Sequence, residues 1–242
     1  MTTSNLLYRC SAIRNALVDA GLFAATDGAS TRADSDVSVN SWRIGTAPFL
    51  LSAEQANFFS RLGPQLLSFY RALNRLYAES VRGLQPSWVA QALDQGKPEG
   101  LVAYSRMKRF RDLLPAVIRP DVIPTPDGMV ITELDSVPGG IGLTACLSRV
   151  YTDLGPLDPD GSLPPSSSGE RLVGGRDGMI EGFSAMLTQL RDSREGCIAI
   201  VVSDEAKDYP PEMTWMAALL SDRGTNTRCV DPRDVRFTEG GL

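Results

Sequence analysis

Leu6, Leu7, Cys10, Ile13 and Leu17 recur at helical spacing, with Thr3 or Ser4 as cap and Gly21 just past the end, so the pattern predicts an amphipathic helix over 5–20. Residues 24–36 are small and polar and read as a loop, and 42–51 reads as a short strand. Ser52 followed by Gln55 forms a capping-box pattern. Phe59, Leu62, Leu66, Phe69, Leu73 and Leu76 then trace one face of a long helix to about residue 81, with a bend or break expected at Gly63-Pro64. A third helical segment surrounds 88–93. Beyond residue 150 the chain turns rich in Pro, Ser and Gly, which marks a connection up to about residue 175.

After that connection the pattern reads as helix 178–190, a continuous apolar run 197–203 of buried-strand type, helix 212–220 and strand 226–230. Strand, helix and strand so closely spaced predict a βαβ unit with parallel pairing. The expected fold class is therefore α/β: a helical and hairpin-bearing part over 1–150, a linker over 151–176, and a partial parallel α/β domain over 177–242. The segment Phe237 to Leu242 follows directly on the last predicted strand, so that domain reads as cut short and the chain as a piece of a longer one.

The most chemical segment lies within the first part. Residues 116–140 form two β-prone runs joined by Pro126-Asp127-Gly128, a hairpin signature in which Gly128 takes the left-handed conformation. A three-residue loop pairs Thr125 with Met129, which sets Asp121 opposite Glu133 and Arg119 opposite Asp135. Opposed residues share a face, so three carboxylates and one guanidinium gather on one patch. Crowded carboxylates repel, and a divalent cation with hard oxygen ligands, Mg²⁺ or Mn²⁺, relieves that repulsion. The alternative is an exposed charged face with Arg119 neutralising one carboxylate.

The pattern Arg119-Pro-Asp121, the Asp127-Gly128 turn, and Glu133-Leu-Asp135-Ser-Val-Pro138-Gly139 resembles the closing motif of ATP-grasp enzymes. The resemblance implies that Asp121, Glu133 and Asp135 are metal ligands and that Arg119 contacts phosphate or an acyl-phosphate intermediate. Asp135 departs from the usual Asn of that motif and adds a negative charge. A strand–helix–strand segment after the motif is similar to the circularly permuted ATP-grasp group, akin to glutathionylspermidine synthase-like ligases. The resemblance spans about 70–242 and implies ATP and Mg²⁺ as cofactors and a small-molecule or peptidic carboxylate as substrate.

The run Gly139-Gly140-Ile-Gly142 precedes a helix expected over 143–151 and presents backbone N–H groups to an anion, so Gly139 and Gly140 are candidate cofactor contacts. Arg106, Lys108, Arg109 and Arg111 form a basic cluster that reads either as a solvated face or as a lining for an anionic ligand. The absence of histidine in the 242 residues removes Ser/His/Asp and Cys/His catalysis and His-containing zinc sites. Ser136 accordingly has no histidine to activate it. With 24 basic and 29 acidic residues spread along the chain, no basic stripe points to nucleic acid.

Cys10, Cys146, Cys197 and Cys229 lack C-x-x-C spacing and read as buried thiols in a reducing cytoplasm. No charged n-region with an apolar core opens the chain, and no run approaches the roughly 20 apolar residues of a membrane span. The expected function is an ATP-dependent carboxylate–amine or carboxylate–thiol ligase fragment. The alternative is a non-catalytic remnant that binds a small anionic or peptidic ligand, or a partner chain, through the same face.

Overall fold

A computed structural model describes residues 3–23, 43–155, 172–191 and 196–236. The chain is an α/β protein: the described residues form seven α-helices and two separate two-stranded sheets. They divide into two compact units, one of residues 1–49 with 139–242 and the other of 50–138. This grouping by contacts differs from the expected division over 1–150, 151–176 and 177–242. The boundary falls between hairpin and following helix because that helix packs against the first helix and the later ones. Within the expected linker, residues 156–171 lie outside the described residues.

In the first unit, α1 (Thr3–Asp19), α5 (Ile141–Leu154), α6 (Gly178–Leu190) and α7 (Tyr209–Asp222) build the core. Thr3 and Ser4, expected as caps, are the first residues of α1. Ile13, Leu17, Leu22, Phe23 and Cys146 form one buried cluster, and Ile180, Met213, Met216 and Leu220 are also fully enclosed. β3 (Ile198–Val201) pairs in parallel with β4 (Thr227–Val230), with α7 between them in sequence, as the βαβ reading requires. The predicted polar loop over 24–36 lies outside the described residues, and residues 43–51 contain no strand.

α5 is held at its C-terminal end by a side chain from far away in sequence. Arg9 is buried and donates through Nε to the Thr46 carbonyl at 3.0 Å and through its two terminal nitrogens to Leu154 at 2.9 Å and Gly155 at 2.8 Å. A cation on otherwise orphaned carbonyls complements the negative end of the helix dipole. Cysteine burial is less uniform than expected: Cys146 is buried, Cys10 and Cys229 are half-buried, and Cys197 is exposed at the strand's mouth. An apolar run therefore does not bury its first residue.

The second unit rests on α2 (Ala53–Val81), which opens with the expected capping box. Gln55 N–H donates to Ser52 Oγ at 3.2 Å, and Ser52 N–H donates to Gln55 Oε1 at 2.9 Å. α2 runs on through Pro64 without a break. Gly63 has no Cβ to meet the proline ring, which removes part of the usual clash. α3 (Ser87–Asp94) packs on α2, and buried Ser80 joins them by donating to the Pro86 carbonyl at 2.6 Å and accepting from Ala90 N–H at 3.1 Å. A short α4 (Glu99–Ser105), absent from the sequence reading, leads toward the hairpin of β1 (Arg119–Thr125) and β2 (Gly128–Asp135). No helix among the described residues is long and apolar enough to cross a membrane.

Candidate functional site

The hairpin brings its charges together by a route the sequence did not disclose. Thr125 pairs with Gly128, so the loop is the two residues Pro126 and Asp127, and Met129 faces Pro124. This corrects the expected pairing of Thr125 with Met129. Gly128, at φ 125°, supplies the positive φ there. Continued unchanged, that register would set Asp121 against Thr132. A bulge between Asp121 and Val122 absorbs one residue: Val122 faces Ile131, Asp121 faces Glu133, and Thr132 is left between. The Thr132 hydroxyl donates to the Asp121 carbonyl at 3.2 Å across the irregularity. Asp121 opposite Glu133 and Arg119 opposite Asp135 thus stand as expected, through a tighter turn and a compensating bulge.

The three carboxylates are not equivalent. Asp135 is half-buried; its Oδ2 accepts from Arg119 at 3.0 Å, and its Oδ1 accepts the N–H groups of Ser136 at 2.7 Å and Val137 at 3.2 Å. Its oxygens hold the turn that leaves β2. Arg119 also donates to the Val137 carbonyl at 3.3 Å. Asp121 and Glu133 are exposed, and among the described residues neither side chain has a hydrogen bond or ion pair. No group of three or more acidic or thiol residues stands close enough to hold a metal ion among the described residues. Of the three expected ligands, two remain available and the third is committed to Arg119. Ser136 shares a hydrogen bond with the Tyr70 hydroxyl at 2.9 Å.

The glycine turn has a different outcome. α5 begins at Ile141 with Gly140 at φ 80°, and its first N–H groups meet the chain's own Glu212. Gly140 N–H donates to Glu212 Oε1 at 2.6 Å, and Leu143 N–H donates to Oε2 at 2.9 Å. Glu212 is only 4% exposed. The approach requires bare glycines: a Cβ on Gly142 would stand 2.5 Å from the Glu212 carbonyl oxygen, and one on Gly139 would overlap the Tyr209 ring. The anion expected at Gly139 and Gly140 is therefore a protein carboxylate, and the Gly140 N–H is already spent. Sequence reasoning missed Glu212 because it reads as an ordinary acidic residue in the first turn of α7; the only signal was the glycine-rich turn.

No family model, curated protein or solved structure matches the chain.

Proposed function

We propose that the hairpin is the metal- and phosphate-handling part of an ATP-dependent carboxylate–amine or carboxylate–thiol ligase of the ATP-grasp kind. The observation that carries this reading is the pairing of Asp121 with Glu133 as exposed carboxylates without protein partners among the described residues. Side chains of directly opposed strand residues start from Cβ atoms about 5 Å apart, where like charges destabilise a bare hairpin. Two carboxylates fit Mg²⁺, which typically takes one or two of them and fills its remaining positions with water and substrate phosphate. Asp135 then serves to fix Arg119 instead of ligating metal.

In this chemistry a substrate carboxylate oxygen attacks the γ-phosphorus of ATP, the bond to the β,γ-bridging oxygen breaks, and ADP departs. An amine or thiol then attacks the acyl phosphate and displaces phosphate, losing its proton. Mg²⁺ supplies charge neutralisation on the phosphates. Arg119, fixed by Asp135, holds positive charge on the carboxylate face where a phosphoryl group develops negative charge. The free thiols support a reducing, cytoplasmic setting.

The test compares the chain with an Asp121→Ala/Glu133→Ala double variant by thermal denaturation across a Mg²⁺ and Mn²⁺ series. The parent gains stability with metal, about 1.4 kcal/mol at ten times the dissociation constant, and the double variant gains none. Equal responses from the two proteins would leave the pair as a solvated face and sink the reading.

A further inference from the structure

We propose that a groove in the 50–138 unit, between the C-terminal half of α2 and the segment after α3, binds a small anion that carries a flat aromatic ring. The cavity measures about 630 Å³, within the range of small-molecule sites. Tyr77, Tyr104 and Phe110 give it aromatic walls, and the Tyr104 and Phe110 rings lie with centroids 4.6 Å apart. Of these rings Tyr104 is the most open, at 49% exposed, while Arg109 lies over the Phe110 ring at 4.5 Å and over Tyr104 at 5.4 Å, and Arg106 lies over the Tyr77 ring at 5.9 Å. Flat faces of this kind take a planar ring in offset or edge-on contact.

Cations outnumber carboxylates along the groove. Its single carboxylate, Asp94, accepts the Tyr77 hydroxyl at 2.7 Å and is paired with Arg106. That network internally neutralises one cation and one anion. Arg82, Lys97, Lys108 and Arg111 also line the groove; Arg111 is paired with Asp112 at 3.4 Å, and among the described residues the Lys97 and Lys108 ammonium groups have no hydrogen bond or ion pair. Part of the exposed basic cluster thus lies beside the aromatic residues. A bare inorganic anion at exposed lysines is held weakly because water and salt screen the attraction. A neutral ring leaves the cations unmatched. A ligand with both features uses the whole groove, and free nucleotides and simple aryl phosphates share that chemistry.

The proposal is independent of the hairpin reading and has its own test. Adenosine monophosphate, phenyl phosphate, adenosine and inorganic phosphate are titrated into the 242-residue chain by calorimetry, with tyrosine fluorescence as a second readout. At least one of the two ring-bearing phosphates binds, and inorganic phosphate and adenosine bind about tenfold more weakly or not at all. If only the nucleotide binds, the occupant is a nucleotide; if phenyl phosphate matches it, a simple aryl anion suffices. A Lys97→Glu/Lys108→Glu variant, altered only at exposed positions, loses binding by about tenfold or more, and Tyr104→Ala weakens the ring-bearing ligands alone. Inorganic phosphate binding as tightly as phenyl phosphate, adenosine binding as tightly as its monophosphate, no binding by either ring-bearing phosphate at millimolar concentration, or undiminished binding by the lysine variant would each overturn the proposal.

Discussion

Glu212 and the Asp121–Glu133 pair are carboxylates in opposite circumstances. Glu212 is buried, and both of its oxygens accept backbone N–H groups at the positive end of α5. Asp121 and Glu133 are exposed, face each other, and repel. A buried carboxylate survives only when its acceptors are filled, so Glu212 contributes to folding and has little capacity left for a ligand. The hairpin pair lacks that internal compensation, and its demand for positive charge points outward. Acidic residues beside a Gly-rich turn therefore do not mark a binding site by type; the distinction lies in which ones the fold has already satisfied.

Removing the close approach at Gly142 should have the largest effect. Gly142→Ala forces a Cβ against the Glu212 backbone, which cannot swing aside as a side-chain tip does, and should cost about 3 kcal/mol or more in chemical denaturation. Glu212→Gln keeps the shape but turns an amide donor toward an N–H group, at about 1–2 kcal/mol. The matching hairpin change, Glu133→Gln, should cost nothing and gain up to about 0.5 kcal/mol without metal, because it removes repulsion. Equal losses at Glu212 and Glu133 would erase the contrast between satisfied and unsatisfied carboxylates.

The hairpin half of the comparison depends on the bulge, which oxidative cross-linking tests. In the Asp121→Cys/Glu133→Cys variant the two Cα atoms are opposed, within the span of a disulfide. The bond should form under mild oxidation and add about 2 kcal/mol by closing a short loop. Asp121→Cys/Thr132→Cys, the pairing that the two-residue turn would give without a bulge, should cross-link poorly. Peptide mapping separates these bonds from the four native thiols. Preferential linkage of positions 121 and 132 would put Glu133 on the other face and remove the paired site.

Local chemistry was the legible part of this chain. Ser52 and Gln55 make the capping box their spacing implies, and the apolar run near Ile198 and the strand expected over 226–230 end in parallel strands flanking α7. What escaped depends on contacts distant in sequence or on compensating irregularities. Arg9 and Glu212 reach α5 from far along the chain, and no local pattern distinguishes them from surface charges. The Asp121–Glu133 pairing was anticipated with a loop one residue too long. It stands because the bulge at Thr132 makes up the difference, and a β-branched residue in a strand gives no sign of that. The compact units follow a different signal: composition marks where a chain becomes Pro- and Ser-rich, whereas the units group α5 with the helices it packs against.

The smallest expected effect is a difference at alkaline pH that arises in the packing around α5. Burial pushes the Cys146 thiol above its ordinary 9.0, against the opposing pull of Arg149. Burial, with a lesser contribution from Cys10, pushes the Tyr151 phenol above its ordinary 10.0, while Arg9 acts the other way. In the unfolded chain each group loses its proton near the ordinary value; in the folded chain each keeps it longer. The folded state then binds more protons, so stability falls as pH rises. The contribution is fully present below about pH 9 and is progressively lost as pH climbs toward the raised folded values. Tyr151→Phe also removes the hydrogen bond to the Gly45 carbonyl at 2.8 Å, so the informative quantity is the slope with pH and not the absolute stability. Urea denaturation from about pH 8 to 10.5 should show a shallower decline for Cys146→Ala/Tyr151→Phe than for the parent. Asp121→Ala/Glu133→Ala should follow the parent slope, since it leaves Cys146 and Tyr151 in place. A double variant at Cys146 and Tyr151 that declines as steeply as the parent would place the alkaline sensitivity elsewhere and detach it from the packing of α5.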